Sequence, residues 1–184
     1  MSSPLVVTAR DYSTSRYESL IDSSSTNLNT ILRRAEQIIG GKIGMPLELG
    51  TYTDVTRATG DRLFLTRRPV VSVLSVSRRN YDGVSWNALA SDTYTLNADA
   101  GVIVIRSDVL IKGYETEVTY TAGYTPTTLP EPLKEAVLLQ AARLMYQDFE
   151  IYGAGDSKEP GVRHFREEIE EYIAPYKRST LVTL

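Results

Sequence analysis

The chain contains no cysteine and a single histidine, His164. Without cysteine it forms no disulfide, no thiolate metal site and no cysteine nucleophile. A Ser–His–Asp triad would have to use His164, which the helical pattern places on a polar face beside Arg163, so we interpret it as a surface histidine. No apolar run approaches the ~20 residues of a membrane span. The first residues also lack the basic start and apolar core of a signal peptide.

Other patterns that carry chemistry are also missing. Four glutamates lie between positions 167 and 171, but arginines share their helix and no histidine is spaced to join them, which favours a solvated surface over a metal site. The segments GAGDS and GGKIG match neither a nucleophile motif nor a phosphate loop. Basic pairs are scattered and the formal net charge is −3, so no basic stripe is present. The sequence predicts no catalytic residue, cofactor, metal or membrane contact, and no enzymatic activity.

The chain has 184 residues, which predicts one domain. The chain contains twelve tyrosines but only three phenylalanines and one tryptophan. Tyrosine favours strands, and it also suits surfaces that are buried in one state and wet in another. Both interpretations of the tyrosine count stay open.

Apolar residues recur at helical spacing in four segments of the chain. Ser15 and Glu18 have capping-box spacing for a short first helix. Gly40 and Gly41 are expected to end the second helix, and Pro130 suits the first turn of the third. We therefore predict helices near 15–21, 27–40, 130–152 and 162–174.

The middle of the chain, about 50–124, is typical of β-structure. Short runs rich in Val, Ile, Thr and Tyr are bounded by Gly, Asp, Asn and Pro, as in an antiparallel meander. In the last run, even-numbered residues from Tyr114 to Ala122 share one face and the intervening residues share the other, so one side is covered and one is wet. The run VIVI, at 102–105, is apolar on both faces and is expected at the centre of a sheet. The predicted strands lie within DRLFLT, PVVSVLSVSRR, DTYTLN, GVIVIRS and YETEVTYTAGY.

The helix near 130–152 is apolar over most of its circumference. Such a helix needs cover on more than one side. The helix at 27–40 and the sheet are expected to cover two sides. The remaining arc is expected to face a neighbouring subunit through Leu138, Met145 and Phe149. The expected fold class is therefore α+β: a helical bundle, with parts at 10–45 and 126–176, that carries a β-rich insertion at about 50–124 within one domain, 1–184.

The order of the motifs resembles that of a known family. The pieces are NTILRRAEQIIGGKIGMPL, RPVVSVLSVS, GVIVI, and EVTYTAGY followed by LPEPLKEAVLLQAARLMY. Together they resemble the head–tail connector (adaptor) proteins of long-tailed double-stranded DNA bacteriophages, over about residues 10–152. None of the pieces is a catalytic signature.

The resemblance implies a structural virion protein. It implies a ring of identical subunits, twelve in number, assembled in the host cytoplasm and placed in the neck of the virion. The ring docks on the portal protein, extends the channel for double-stranded DNA without sequence-specific binding, and offers a platform to a stopper or tail-completion protein. Family members often grip the portal with an extended C-terminal arm, which here falls on residues 177–184. Its residues are Lys177, Arg178, Leu181, Val182 and Leu184, and peptide arms of this kind dock by strand addition or in grooves.

Two alternatives stay open at this point. The chain could be another neck or tail-completion protein, which would contact the tail and not the portal. From a different class, it could be a DNA-binding regulator that uses the 27–40 helix, which predicts binding with a steep salt dependence. A small-molecule enzyme is the least favoured interpretation, because one histidine and no cysteine leave no convergent acid–base pair.

Overall fold

The computed structural model describes residues 5–17, 27–57, 60–79, 83, 85–106, 115–152 and 161–177, with the backbone alone for 146–152 and 161–164. The chain divides into two compact units. The helical unit comprises residues 1–48 and 124–184, and the β unit comprises residues 49–123. The presence of helices together with antiparallel sheets confirms the α+β class.

Four α-helices lie in the described part of the helical unit: α1 (Ala9–Ser13), α2 (Leu28–Ile43), α3 (Glu131–Tyr152) and α4 (Gly161–Ile173). A 3₁₀ turn, Ala174–Tyr176, follows α4. Helix α3 packs against both α2 and α4, which confirms that it needs cover on several sides. Its apolar residues and those of α2 and α4 form one buried core that includes Leu32, Ile39, Leu133, Leu139 and Ile169.

Helix α2 runs further than the sequence predicts. It passes through Gly40 and Gly41 and ends before Gly44, whose φ of 78° lies in the left-handed region. Ile43 is buried and continues the apolar stripe, so packing outweighs the low helix propensity of the two earlier glycines. Gly40 is also needed for close approach, because a Cβ there would lie 2.9 Å from the carbonyl oxygen of Met45.

The short first helix also differs from its prediction at 15–21. Helix α1 lies earlier, at Ala9–Ser13, and residues 15–17 form a turn. Residues 18–21 lie outside the described residues. The capping box that forms is the one at Thr8 and Asp11: the Asp11 N–H donates to Thr8 Oγ1, and the Thr8 N–H donates to Asp11 Oδ2. A serine and a glutamate at the right spacing were therefore insufficient to place the helix, because a second pair with the same spacing lies upstream.

A buried carboxylate fixes the start of the described chain to α2. The Val6 and Val7 N–H groups donate to Glu36 Oε1 at 2.8 and 2.7 Å. All three residues are buried. Burial raises the pKa of Glu36, although the two N–H donors act in the opposite direction. Lys134 at the start of α3 forms an ion pair with Asp11 at 2.8 Å, which ties a further point of this segment to the bundle.

Seven strands lie in the described part of the β unit: β1 (Gly50–Arg57), β2 (Arg62–Phe64), β3 (Val70–Arg79), β4 (Asn87–Ala88), β5 (Tyr94–Asn97), β6 (Val102–Ile105) and β7 (Glu115–Ala122). They form two antiparallel sheets, ordered β1-β7-β3-β4 and β2-β6-β5. Strands β1 and β4 were absent from the predicted set. Strand β4 has only two residues, so periodicity does not reveal it.

The inner faces of the two sheets enclose a second core. Along β7, residues alternate strictly between half-buried and buried, which confirms the predicted alternation for the described part of that strand. Strand β6 is central in its sheet, as expected from its apolar sequence. The core combines Val76, Val118 and Tyr120 from the larger sheet with Leu63, Ile103 and Ile105 from the smaller one.

Candidate interaction surfaces

The described residues contain no cluster of three or more His, Asp or Glu side chains that could hold a metal ion. The side chain of His164 lies outside them, so the prediction that it is a surface histidine stays a prediction. Among the same residues, no helix has both the length and the apolar character to cross a membrane.

An ion-pair cluster lies where the predicted C-terminal arm begins. Lys177 follows the last 3₁₀ turn, and its Nζ donates to Glu170 Oε2. Lys42 of α2 donates to the other oxygen of the same carboxylate. The hydrogen bond from Lys177, and then that from Lys42, lowers the pKa of Glu170 to about 2. The cluster fixes Lys177, the first residue of the predicted arm, on the helical unit. The other predicted arm residues, Arg178, Leu181, Val182 and Leu184, lie outside the described residues.

The predicted subunit-contact residues lie on α3. Leu138 is 2% exposed and Met145 is 6% exposed, and both belong to the core of their own helical unit. The side chain of Phe149 lies outside the described residues. Since the apolar surface of Leu138 and Met145 is already covered within one chain, little of it is left for a second copy. The sequence indicated that α3 is covered on several sides, but it did not show that the covering helices belong to the same chain.

A hydrogen-bonded network orders the loop between β2 and β3. Asp54 accepts the Thr66 N–H and the Thr66 hydroxyl, each at 2.7 Å, and the Tyr120 hydroxyl at 2.8 Å. The Arg67 N–H donates to the same tyrosine oxygen at 3.0 Å. Burial, together with the hydrogen bond to Asp54, raises the pKa of Tyr120. The backbone at Thr66 and Arg67 is therefore fixed to the larger sheet, through Asp54 of β1 and Tyr120 of β7.

Two arginines follow this network directly. The Arg67 guanidinium lies over the Tyr52 ring, 5.7 Å from its centroid. The Arg68 guanidinium donates to the carbonyl oxygen of Ala100 at 3.3 Å. Among the described residues, neither Arg67 nor Arg68 forms an ion pair with a carboxylate. These half-buried cations are held by neutral groups, which leaves their charge available to an anionic partner.

Large apolar side chains are exposed on the outer faces of both sheets. On the larger sheet these are Val55, Val71 and Leu74, and Phe64 on the smaller sheet is 68% exposed. Val71 and Leu74 lie at irregularities in the pairing of β3 with β7. Such bulges place two residues opposite one and turn side chains outward. Sequence alternation does not reveal a bulge. It does not indicate Phe64 either, because Leu63, Phe64 and Leu65 are all apolar.

Comparison with known proteins gives one family and one fold. The sequence model described as "Head completion protein" matches residues 6–178. A search of curated proteins finds no match. The structure is similar to a chain in the "Virion of native gene transfer agent (GTA) particle", with a TM-score of 0.69, 20% identity, and coverage of 100% of this chain and 96% of that chain.

Two further solved structures have the same fold. A chain in the "Neck of empty GTA particle computed with C6 symmetry" is 19% identical, with a TM-score of 0.66 and coverage of 100% of this chain and 96% of that one. A chain in the "Neck of native GTA particle computed with C12 symmetry" is 21% identical, with a TM-score of 0.62 and coverage of 100% and 97%. The similarity extends over both units of the chain.

Proposed function

Because the chain belongs to the head completion protein family, we propose that it is a structural protein of the virion neck that forms a ring, docks on the portal protein and extends the DNA channel. The observation that carries the proposal is the family match over residues 6–178. The likeness in fold to chains of GTA neck particles supports it. In this proposal a stopper or tail-completion protein binds the far side of the ring, and double-stranded DNA passes through it without sequence-specific contacts.

Ring formation is the first part of the proposal. Two GTA necks with this fold were computed with C6 and C12 symmetry, and a twelve-subunit ring agrees with both. Closed rings of identical chains need a heterologous contact, in which two different surfaces of the chain meet. The exposed apolar residues of the β unit provide surface for such a contact.

Portal docking through the C-terminal arm is the second part. The ion pairs of Lys177 and Lys42 with Glu170 support it, because they hold the start of the arm on the helical unit. Beyond them the sequence places Leu181, Val182 and Leu184 among polar residues. Three apolar side chains within so short a segment gain free energy when a partner removes them from water.

A pull-down with purified portal protein tests the docking arm. We expect Leu181→Asp/Leu184→Asp to lose portal binding, because the new charges cannot enter an apolar groove. The matched control Thr180→Asp/Thr183→Asp adds the same charge to the same segment at polar positions, and it should bind as the wild type does. Equal binding by both variants would exclude the arm as the docking element. No binding of the wild type to portal, together with binding to a tail component, would favour a tail-completion role.

The DNA-binding alternative has no observation in its favour. The apolar stripe of α2 is buried in the core of the helical unit, and its exposed residues include a single arginine, Arg34. A salt titration with duplex DNA checks this directly, since a regulator would show a steep loss of affinity with salt.

A further inference from the structure

Glu170 binds the first residue of the predicted arm and the end of a second helix at the same time. One of its carboxylate oxygens accepts from Lys177 Nζ, and the other accepts from the Nζ of Lys42, in the last turn of α2. Ile169 and Ile173, in the same helix as Glu170, are fully buried in the core of the helical unit. The carboxylate that meets Lys177 is therefore carried by an anchored helix and is oriented by Lys42.

The backbone of Lys177 is held as well as its side chain. Its N–H donates to the carbonyl oxygens of Ile173 and Ala174, at 3.2 and 3.4 Å, at the end of the 3₁₀ turn. The φ of −60° and ψ of 133° at Lys177 lie in the extended region and no longer in the helical one. Peptides that add a strand to a sheet or enter a groove as a polyproline helix have an extended backbone. The first residue of the arm thus already has a conformation that suits docking.

The ion pair with Glu170 is what holds the Lys177 side chain. This side chain is 45% exposed, so packing contributes little to its position. A segment that becomes ordered only when it binds loses conformational entropy, and this loss subtracts from its affinity. A residue that is held in place beforehand removes part of the loss. Glu170 can therefore strengthen docking without being near the partner.

We propose that Glu170 is a positioning residue for portal docking: it holds Lys177 so that the arm starts from one fixed place and direction on the helical unit. The inference rests on the docking arm of the proposed function and adds the residue that controls its affinity. Lys42 acts one step further back, because it orients the carboxylate. Salt screens exposed ion pairs, so the contribution of Glu170 to docking declines as the ionic strength rises.

Limited digestion with trypsin measures the hold on Lys177 without portal protein. Trypsin takes the lysine side chain into its own acidic pocket, so it cleaves after Lys177 only when that side chain has left Glu170. We expect Glu170→Gln to raise the rate of this cleavage about two- to fivefold, as the strength of an exposed ion pair allows. Mass spectrometry of the released peptide follows the rate.

Glu171→Gln is the matched control for both experiments on Glu170. Glu171 is exposed on the same helix, and it has no ion-pair partner in the described part of the chain. The control should be cleaved after Lys177 at the wild-type rate. Equal rates in the wild type, Glu170→Gln and Glu171→Gln would show that Glu170 does not hold the arm.

Titration with portal protein measures the effect on docking. At low salt, Glu170→Gln should bind portal about two- to fivefold more weakly than the wild type and Glu171→Gln, and the difference should close at high salt. Equal affinity of the wild type and Glu170→Gln at low salt would overturn the inference and leave docking through the arm intact. A wild type that does not bind portal would overturn the inference together with the proposed function.

A double-mutant cycle separates positioning from stability. Lys177→Gln removes one ion pair and keeps the one between Lys42 and Glu170. If Glu170 acts through Lys177, adding Glu170→Gln to Lys177→Gln should weaken portal binding no further. A further loss of the same size as in the wild-type background would mean that Glu170 acts through the stability of the helical unit, and it would exclude the positioning role.

Discussion

Replacement of Glu36 by alanine tests whether one buried carboxylate holds residues 5–7 on the helical unit. The substitution removes the acceptor of the Val6 and Val7 N–H groups, which are buried and bonded to it at 2.8 and 2.7 Å. Each buried donor left without an acceptor costs roughly 1–3 kcal/mol. Part of this cost is offset because the buried charge is removed as well. We expect Glu36→Ala to lower the free energy of unfolding by about 2–4 kcal/mol, a large share of the roughly 5–15 kcal/mol of a typical domain.

The assay is urea denaturation followed by far-UV circular dichroism, which reports mainly the helical unit. The single tryptophan, Trp86, lies in the β unit, so its fluorescence gives a separate signal in the same experiment. Glu36→Gln keeps a carbonyl oxygen for both N–H groups and should lose about 1 kcal/mol or less. Gln37→Ala, at the exposed neighbouring position, is the matched control and should stay within about 0.5 kcal/mol of the wild type. A Glu36→Ala protein as stable as this control would refute the reasoning.

The same variants predict a pH dependence. Burial raises the pKa of Glu36 above its ordinary value of 4.5. A raised pKa in the folded state means that the contribution of Glu36 to stability is fully present below pH 4.5 and is lost as the pH rises through the folded pKa. Relative to Glu36→Gln, the wild type should therefore lose stability as the pH increases above 4.5. A difference that grows in the opposite direction would show that the two N–H donors outweigh burial.

Two further substitutions probe the β unit and the start of the arm. Tyr120→Phe removes the hydroxyl that donates to Asp54, and it should lower the unfolding free energy of the β unit, followed by Trp86 fluorescence, by about 1–3 kcal/mol. The control Tyr94→Phe removes a hydroxyl that has no hydrogen bond in the described structure, so it should have little effect. Equal effects of the two substitutions would contradict the role of the network. The pKa of Glu170 is lowered to about 2 by its two lysine partners, so its stabilisation is present above pH 4.5 and lost as the pH falls from there towards 2. The stability difference between wild type and Glu170→Gln should decline over that range and shrink in high salt, and a constant difference would contradict the ion-pair assignment.

The long elements were predictable because their side-chain periods are strong. Helices α3 and α4 begin and end within a residue of the predicted bounds, and the alternation along β7 agrees with its burial. The family resemblance is also confirmed by the head completion protein match. These inferences depend on local patterns that the chain repeats several times.

The errors have local and tertiary causes. The end of α2 was predicted too early because the free energy gained by burying Ile43 exceeds the cost of placing Gly40 and Gly41 in a helix. Strand β1 was missed because its side chains alternate only between half-buried and exposed, with Thr and Asp among them. The sequence also did not predict that α3 is buried by helices of its own unit, because the pattern of one helix does not show whether its cover comes from the same chain or from another.

The predicted contacts illustrate the same limit. The sequence singled out Leu138 and Met145 as apolar surface, and the structure places both in the core. It did not single out Phe64, because Leu63, Phe64 and Leu65 form a continuous apolar run that does not show which face is covered. The difference arises because exposure depends on which face of a strand or helix meets the rest of the fold, and a sequence pattern identifies faces without saying which of them is covered.

The isolated bridge between Glu48 and Tyr124 has a consequence for how this chain can change over time. The two points at which the chain leaves and re-enters the helical unit are paired neighbours, joined by the Tyr124 N–H to the Leu47 carbonyl at 2.8 Å. A tight turn would be long enough to replace everything between them. The segment between them, the β unit, can therefore be replaced by another without rearranging the core of the helical unit. Evolution can in this way change what the β unit contacts while the helical unit stays the same.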